Sequence, residues 1–358
     1  MSSVIAEQRL HNQYLTRAGS RRPADLVARL GAVQAQEYPF ARWGLALRMA
    51  EGTSDADVER AFDEGQILRT HVMRPTWHFV TPSDIRWMLE LTAPHVHRAM
   101  RHYERHLELD ARTLTRGPSV IERALRDRQY LTRAELSLRL QLTGLAMKGQ
   151  RLALMAMHAE LEGVVCSGPR RGKQFTYALV VERAPKALRL SRDEALAELT
   201  RRYFTSHGPA TIRDFVWWSG LGTPDAKRGL EINKAPSEVV GGLTYWTLGR
   251  SARGAPRRGG VHLLPVYDEY FIAYRDRDAV PHGPSMVRTR SRGPVMFMNP
   301  VIIDGQGVGT WRPAKSAGRL VVDVIPLRRF APAERRALSE VAARYGRFLG
   351  VPVSVSIA

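Results

Sequence analysis

The sequence predicts a mainly helical α+β protein, built from about three tandem helix-turn-helix units that each end in a strand hairpin. Three observations support this fold class. The 358 residues exceed one domain of about 100–200 residues. Apolar residues make up 44% of the chain and charged residues 25%, as in ordinary globular proteins. Along the chain, helical periodicity gives way several times to short runs of β-branched and aromatic residues.

The first unit is predicted over residues 1–115. Its helices are residues 5–17, a segment that starts after Pro23 and carries apolar residues at Leu26, Leu30 and Val33, and residues 55–66 with Ser54 as the cap. Residues 71–80, HVMRPTWHFV, are rich in strand formers and contain a proline that breaks a helix. A further helix is predicted to begin at TPSD, with Thr81 as its cap and Pro82 at its first position.

The second and third units are predicted over residues 116–185 and 186–250, and they follow the same order. The second contains a helix at 119–128, a helix that Thr132 caps in a capping box with Glu135, and a helix at 148–163. Two short strands around a basic turn follow. The third contains helices at 191–208 with a capping box from Ser191 to Glu194, at 209–221 and at 223–232, then a strand at 239–248. Helix, helix, recognition helix and strand ribbon is the order of a winged helix-turn-helix.

Residues 251–358 are predicted to be rich in strands. A hairpin is expected over residues 295–312, turning at Asp304–Gly305. Residues 262–274 indicate either a strand pair or a strand that leads into a helix. The last helix is predicted over residues 331–350, where a glycine ends it.

The charge balance points to a polyanionic partner. Lysine and arginine total 54 against 35 acidic residues, which gives a formal net charge of +19. Codon bias explains why only six of the basic residues are lysines, but it does not explain the shortage of acids. The single cysteine, Cys166, excludes an internal disulfide and thiolate metal clusters. The N-terminus does not resemble a secretory signal and no apolar run spans a membrane, so a cytoplasmic, nucleoid-associated protein is expected.

Two basic segments are candidates for contact with phosphate. The turn of the second unit carries Arg170, Arg171 and Lys173, which we expect along a phosphate backbone, with a solvated turn as the alternative. Residues 285–320 contain one acid and many cations, and those predicted to bind DNA are Arg288, Arg290, Arg292, Arg312 and Lys315. The first three alternate, so one face of an extended strand would carry them. The alternative is a charged sheet edge that prevents aggregation.

Four histidines, at positions 95, 97, 102 and 106, do not form a recognised metal motif, and no metal is predicted. Gln34 and Gln36 stand at the end of a helical pattern, where a pair of glutamines is usually a solvated helix end. Their carboxamides could converge only where the helix ends, which Pro39 makes plausible. Neutral carboxamides would then orient a reactant, since they are poor bases.

Several segments together resemble the AlkZ/YcaQ-type winged-helix DNA glycosylases over nearly the whole chain. The segments are AVQAQEYPFARWGL, LRTHVMRPTWHFV, RRYFTSHGPATIRDFVWWSGL, LLPVYDEYFIAYRDR and IIDGQGVGTWR. The resemblance implies tandem winged helices that form a concave basic surface for duplex DNA. It also implies that Gln34 and Gln36 are the catalytic Gln-x-Gln motif of the AlkZ-like branch.

The implied activity is excision of bulky, cationic N7-alkylpurines from double-stranded DNA by a monomeric, monofunctional glycosylase. Unhooking of interstrand crosslinks and self-resistance to a DNA-alkylating natural product are further implications. A cationic base is already a good leaving group, so the site needs no general acid, metal or cofactor. Carboxamides would position the attacking water, and Asp63 or Glu37 would be the next candidates. No lysine adjoins the motif, so a Schiff-base step is not implied. The alternative is a non-enzymatic winged-helix DNA-binding protein or transcriptional regulator.

Overall fold

The computed structural model describes residues 2–17, 19–249, 260–277, 298–316 and 319–358. It is a mixed α+β fold, which confirms the predicted class. The chain opens with helix α1 (Ser2–Asn12), which packs near the third unit described below. Among the described residues, no helix combines the length and the apolar character that crossing a membrane requires.

The first unit forms a small antiparallel sheet behind helices. Its elements are α2 (Pro23–Leu30), β1 (Val33–Gln34), α3 (Tyr38–Arg48), α4 (Asp55–Asp63), β2 (Leu68–Val72) and β3 (Arg74–Val80). The strand order is β1-β3-β2, and Gln34 lies opposite His78 in the register. The predicted strand at 71–80 is therefore a hairpin, which turns at Met73 with a positive φ of 64°.

The second unit has the same order of elements. Helix α5 (Ile85–His106) leads into it, and its own elements are α6 (Ala111–Leu125), β4 (Leu131–Thr132), α7 (Arg133–Leu142), α8 (Gly149–Leu161), β5 (Val165–Ser167) and β6 (Thr176–Leu179). The strand order is β4-β6-β5, so the first short strand again pairs with the last strand of the hairpin. A short helix, α9 (Val180–Arg183), follows.

The third unit repeats the order with a single bridge in place of its first strand. Its elements are α10 (Arg192–Ser206), α11 (Ile212–Ser219), α12 (Thr223–Ile232), β7 (Ser237–Val240) and β8 (Leu243–Trp246). Ala210 pairs with Trp246, which brings the segment before α11 against the last hairpin strand. The three units thus share one topology although their sequences do not repeat.

The C-terminal region is a five-stranded sheet covered by a helix. Its elements are β9 (Val261–Leu263), α13 (Glu269–Ile272), β10 (Asn299–Ile303), β11 (Gln306–Ser316), β12 (Arg319–Pro326), α14 (Pro332–Leu349) and β13 (Val353–Ile357). The order is β13-β12-β11-β10-β9, and only the β12–β13 pair is parallel. Trp43 of α3 packs against Tyr345 and Phe348 of α14, so the first unit and this sheet share a hydrophobic core.

Local signals in the sequence located most helix ends correctly. The capping boxes at Ser54, Thr132 and Ser191 are all formed. The predicted turn at Asp304–Gly305 is also confirmed, with positive φ at both residues as a type I′ turn requires. Residues 262–274 adopt the strand-to-helix alternative.

Other predictions were wrong. The helix after Pro23 ends at Leu30, because Gly31 takes a φ of 86°, and Val33 lies on a strand. Helix α3 was not predicted at all. TPSD forms a turn, in which the Asp84 N–H donates to the carbonyl of Thr81, and α5 begins at Ile85. The sequence also predicts that Phe215, Trp217 and Trp218 pack the helix at 209–221, but Trp217 is 39% exposed, whereas the other two are buried.

Candidate active site around Gln34 and Gln36

Gln34 lies on a β-strand, not at a helix end as the sequence suggested, and Gln36 follows in the bend before α3. Gln34 ends β1 and is buried, while Gln36 is half-buried. The N–H of Ala35 donates to the carbonyl of Trp77 at 2.7 Å, so pairing with β3 continues past β1. Both carboxamides contact β3, because Oε1 of Gln34 accepts from Arg74 and Oε1 of Gln36 accepts from the N–H of Trp77.

The carboxamide of Gln34 is oriented by Arg74. Nη2 of Arg74 donates to Oε1 of Gln34 at 2.9 Å. The same Nη2 lies 3.4 Å from Nε2 of His78, whose Nδ1 lies 2.9 Å from the carbonyl of Thr76. A neutral imidazole with its proton on Nδ1 satisfies both contacts, since Nε2 is then an acceptor for Arg74. His78 thus positions the guanidinium that positions Gln34.

The backbone of Gln34 rests on a buried carboxylate. Oε1 of Glu269 accepts the N–H of Gln34 at 2.8 Å. Its other oxygen accepts from Nε1 of Trp218 at 3.0 Å and lies 3.3 Å from Nε2 of His207. Burial opposes ionisation of Glu269, but its contacts with His207 and the Gln34 N–H hold its pKa below the usual value. The carboxylate of Glu269 thus holds β1 in place through the backbone N–H of Gln34.

Glu269 is held in turn by a buried ion pair next to it in sequence. Asp268 caps α13 and receives two hydrogen bonds of 2.7 Å from Arg48, in a pair whose side chains are 1% and 2% exposed. Arg48 also donates to Oε1 of Gln13 at 3.0 Å. Neither acid was predicted as a site residue from the sequence. A signal was present, because two adjacent acids in the apolar run HLLPVYDEYFIAY must find partners if the run is buried.

Gln36 contacts Trp77, which lines a cleft of about 440 Å³ between β3 and the second unit. Its Oε1 accepts from the N–H of Trp77 at 3.4 Å. The indole of Trp77 lines the cleft between Arg69, at 4.2 Å, and the ring of His71, at 4.4 Å. The other polar side chains that line the cleft are Thr132, Arg133, Glu160, Ser167, Lys173, Gln174, Thr176 and Tyr177. An aromatic surface with one carboxylate and several cations can accommodate a nucleotide.

Arg69 joins the cleft to the motif. Its Nε donates to the carbonyl of Ala35 at 2.9 Å, between the two glutamines. Burial lowers the pKa of Arg69 to about 10, so the side chain remains cationic at neutral pH.

The predicted phosphate-binding residues have different surroundings. Arg170 is fastened to the first unit, because its N–H donates to Asp63 at 2.7 Å and its guanidinium pairs with Glu59. With a side chain only 14% exposed, it is not a free cation at a wing tip. Arg171 and Lys173 are exposed, although Arg171 pairs with Glu135 at 2.7 Å.

Among the C-terminal candidates, Arg312 is the one whose side chain the structure describes. Arg312 is exposed and pairs with Asp323 at 2.9 Å. Arg288, Arg290 and Arg292, and the side chain of Lys315, lie outside the described residues.

The neutral state of His78 makes the stability of the protein depend on pH. Burial, followed by the charge of Arg74, lowers the pKa of His78 from 6.5 to about 3. The unfolded chain therefore binds the proton more readily than the folded chain, and stability should fall as the pH drops from about 6.5 towards 3. The expected loss is about 1.4 kcal/mol per pH unit for this one group.

Urea unfolding at pH 7, 6, 5 and 4 measures this loss. In His78→Gln, which keeps a polar side chain that does not titrate, the slope of stability against pH should be smaller by about that amount. Parallel pH profiles of the wild type and the variant would show that His78 is not held neutral.

Comparisons with known proteins agree on one family. The family described as "DNA glycosylase AlkZ-like" matches residues 27–348. A Streptomyces sahachiroi protein named "Interstrand DNA cross-link repair glycosylase" is 26% identical over 370 residues, which cover 96% of this chain and 95% of the relative. The solved structure of Streptomyces sahachiroi DNA glycosylase AlkZ superposes with a TM-score of 0.82, at 26% identity, over 100% of this chain and 99% of that one.

Proposed function

The chain belongs to the AlkZ-like DNA glycosylase family, and from this we propose that it excises cationic, bulky N7-alkylpurines from duplex DNA. It is thus an enzyme of DNA repair that hydrolyses N-glycosidic bonds. The observation that most supports this choice of substrate is the way in which contacts position Gln34 and Gln36. Glu269 holds the backbone of Gln34 and Arg74 its side chain, while Gln36 contacts Trp77, which lines the cleft.

The pair suits hydrolysis of an activated base. Alkylation at N7 gives guanine a positive charge, so the C–N bond breaks without a proton donor. The sugar then develops oxocarbenium character, and a water must reach its anomeric carbon. Two neutral carboxamide oxygens can accept hydrogen bonds from that water and so position it, with less charge than a carboxylate would bring. Normal, neutral purines would remain intact, because the site offers them no leaving-group activation.

We propose that the three repeated units are winged helix-turn-helices. Each has a helix, a first strand or bridge, two further helices and a hairpin, and in each the first strand pairs with the last. Such units bind duplex DNA with a recognition helix and a hairpin wing. Glu160 of α8 and Lys173 of the second hairpin both line the same cleft as Trp77, which contacts Gln36. This supports a path for DNA that passes the motif.

The central test is base release. Duplex DNA with one N7-methylguanine, one bulkier N7 adduct or one N7–N7 interstrand crosslink is incubated with the protein, and abasic sites and unhooked strands are measured. We expect abasic sites without strand cleavage. If no substrate loses its base and the protein selects one operator-like sequence instead, the regulator alternative is correct.

Arg171 and Lys173 are proposed to contact phosphate. Replacing both by alanine should weaken binding to random duplexes and lower the slope of log K against log salt by up to about two units, one per lost contact. Fluorescence anisotropy between 50 and 300 mM salt measures the slope. Arg347→Ala is the control, since that exposed arginine of α14 pairs with Glu51 and lies outside the three proposed winged helices. An unchanged slope in the double variant would exclude this turn from the interface.

A further inference from the structure

Helices α5 and α8 bring three potential metal ligands together, away from the glutamine motif, and a fourth, Glu104, lies beside one of them. His97 and Glu104 lie two turns apart on α5. His158 lies on α8, and Glu162 follows one turn later at its C-terminal cap. Residues four or seven apart on a helix share a face, so both helices present one imidazole and one carboxylate to the space between them.

The ligand atoms are close enough to share one ion. Nε2 of His97 lies 3.0 Å from Oε1 of Glu162, and Nδ1 of His158 lies 3.9 Å from Oε1 of Glu104. One ligand atom each from His97, His158 and Glu162 falls within 4.8 Å of the others. Two atoms bound to the same tetrahedral zinc are about 3.3 Å apart, given bond lengths of about 2.0–2.1 Å. Small rotations of these side chains would complete the geometry.

Hydrogen bonds within the cluster leave one buried nitrogen, Nδ1 of His158, without a partner among the described residues. The His97–Glu162 contact is a normal hydrogen bond, but Nδ1 of His158 is buried and has no hydrogen-bond partner among the described residues. Buried polar nitrogens rarely lack one. The nearest carboxylate oxygen, on Glu104, is too distant at 3.9 Å. A cation between the helices would contact this nitrogen and the carboxylates together.

We propose that His97, His158 and Glu162, with Glu104 as the fourth ligand, bind a divalent transition metal, zinc in the first instance. Two imidazoles and two carboxylates match its preference for nitrogen and oxygen donors and balance its charge. Arg98 and Arg101 on α5 are exposed, so water screens their repulsion of a cation. The metal would clamp α5 to α8, and thereby tie the helix after the first unit to the recognition helix of the second.

Zinc binding to the full-length protein tests the proposal. After treatment with EDTA and its removal, isothermal titration with Zn²⁺ should show one site per chain, and thermal unfolding should shift upwards by several degrees with saturating zinc. Co²⁺ in place of zinc should give the visible absorption of a four-coordinate site. No saturable binding, or no shift in the unfolding midpoint, would overturn the proposal.

Ligand variants separate this site from adventitious binding. His158→Ala and Glu162→Gln should each weaken zinc binding at least tenfold, and the second keeps the volume and polarity of the native side chain. His102→Ala on the exposed side of α5 is the control and should bind zinc like the wild type. Circular dichroism in EDTA confirms that the variants fold. Equal affinity in wild type, Glu162→Gln and His102→Ala would place any bound zinc elsewhere. Since the readouts are binding and unfolding, the outcome does not depend on glycosylase activity.

Discussion

Gln34→Ala and Gln36→Ala should each slow the release of N7-alkylguanine by about 100-fold, because each removes one of the two carboxamides proposed to position the attacking water. DNA affinity should change little, since neither side chain carries a charge. Single-turnover excision with enzyme in excess measures the chemical step, and anisotropy on the same duplex measures binding. The double variant should lose little more than either single variant if the two carboxamides act as one unit.

Gln129→Ala serves as a control for loss of a surface glutamine. The two variants should differ in secondary effects, because Gln34→Ala also removes one of the two acceptors of Nη2 of Arg74 and leaves it only His78. Wild-type rates in both single variants would place catalysis elsewhere, and Glu37 would be replaced next. Asp63 is a weaker candidate than its sequence position suggested, because it accepts the N–H of Arg170 and thereby joins two units.

Asp268→Ala is expected to destabilise the protein by about 3–5 kcal/mol, the usual cost of leaving one member of a buried ion pair without its partner. Arg48 would keep its charge in a site where its side chain is 2% exposed. The cap of α13 would also be lost. Urea unfolding at pH 7 measures the free energy. Because Glu269 follows directly in the chain, excision should decline together with stability.

Asp323→Ala provides the comparison, since its pair with Arg312 lies at the surface, where such pairs contribute up to about 1 kcal/mol. A loss of less than 1 kcal/mol in Asp268→Ala would show that Arg48 is satisfied by Gln13 and Gly44 alone. Asp268→Asn distinguishes the two roles of the residue, because asparagine caps a helix as well as aspartate does but carries no charge.

The features that could be predicted are those that nearest neighbours in sequence determine. Capping boxes act over three residues, and a two-residue turn needs only Asp304 and Gly305, so both were read correctly. The order of helices and hairpins followed from the same short-range signals. Helix α3 was not predicted because most of its own residues are apolar and buried. Its sequence therefore lacks the alternation of an apolar and a polar face by which a helix is predicted.

Of the candidate site, only Gln34 and Gln36 could be predicted from the sequence. Gln34 and Gln36 stood out through the resemblance of the chain to a family, not through any physical property of two glutamines. Glu269 meets Gln34, and His207 and Trp218 meet Glu269, only after folding, and no periodicity links residues so far apart. Arg170 shows the opposite error, because a cation in a turn looks exposed until the acids of another unit are placed beside it.

The contact between Gln34 and Glu269 spans 235 residues of the chain. At about 5–20 residues per second, a ribosome makes Glu269 roughly 10–50 s after Gln34. During that interval the nascent first unit can form its hairpin, but the N–H of Gln34 lacks the carboxylate of Glu269 as its acceptor. Catalytic competence is thus a late property of synthesis, acquired when the C-terminal sheet docks. A truncated product that ends before residue 269 could bind DNA through its first two units while lacking an assembled site.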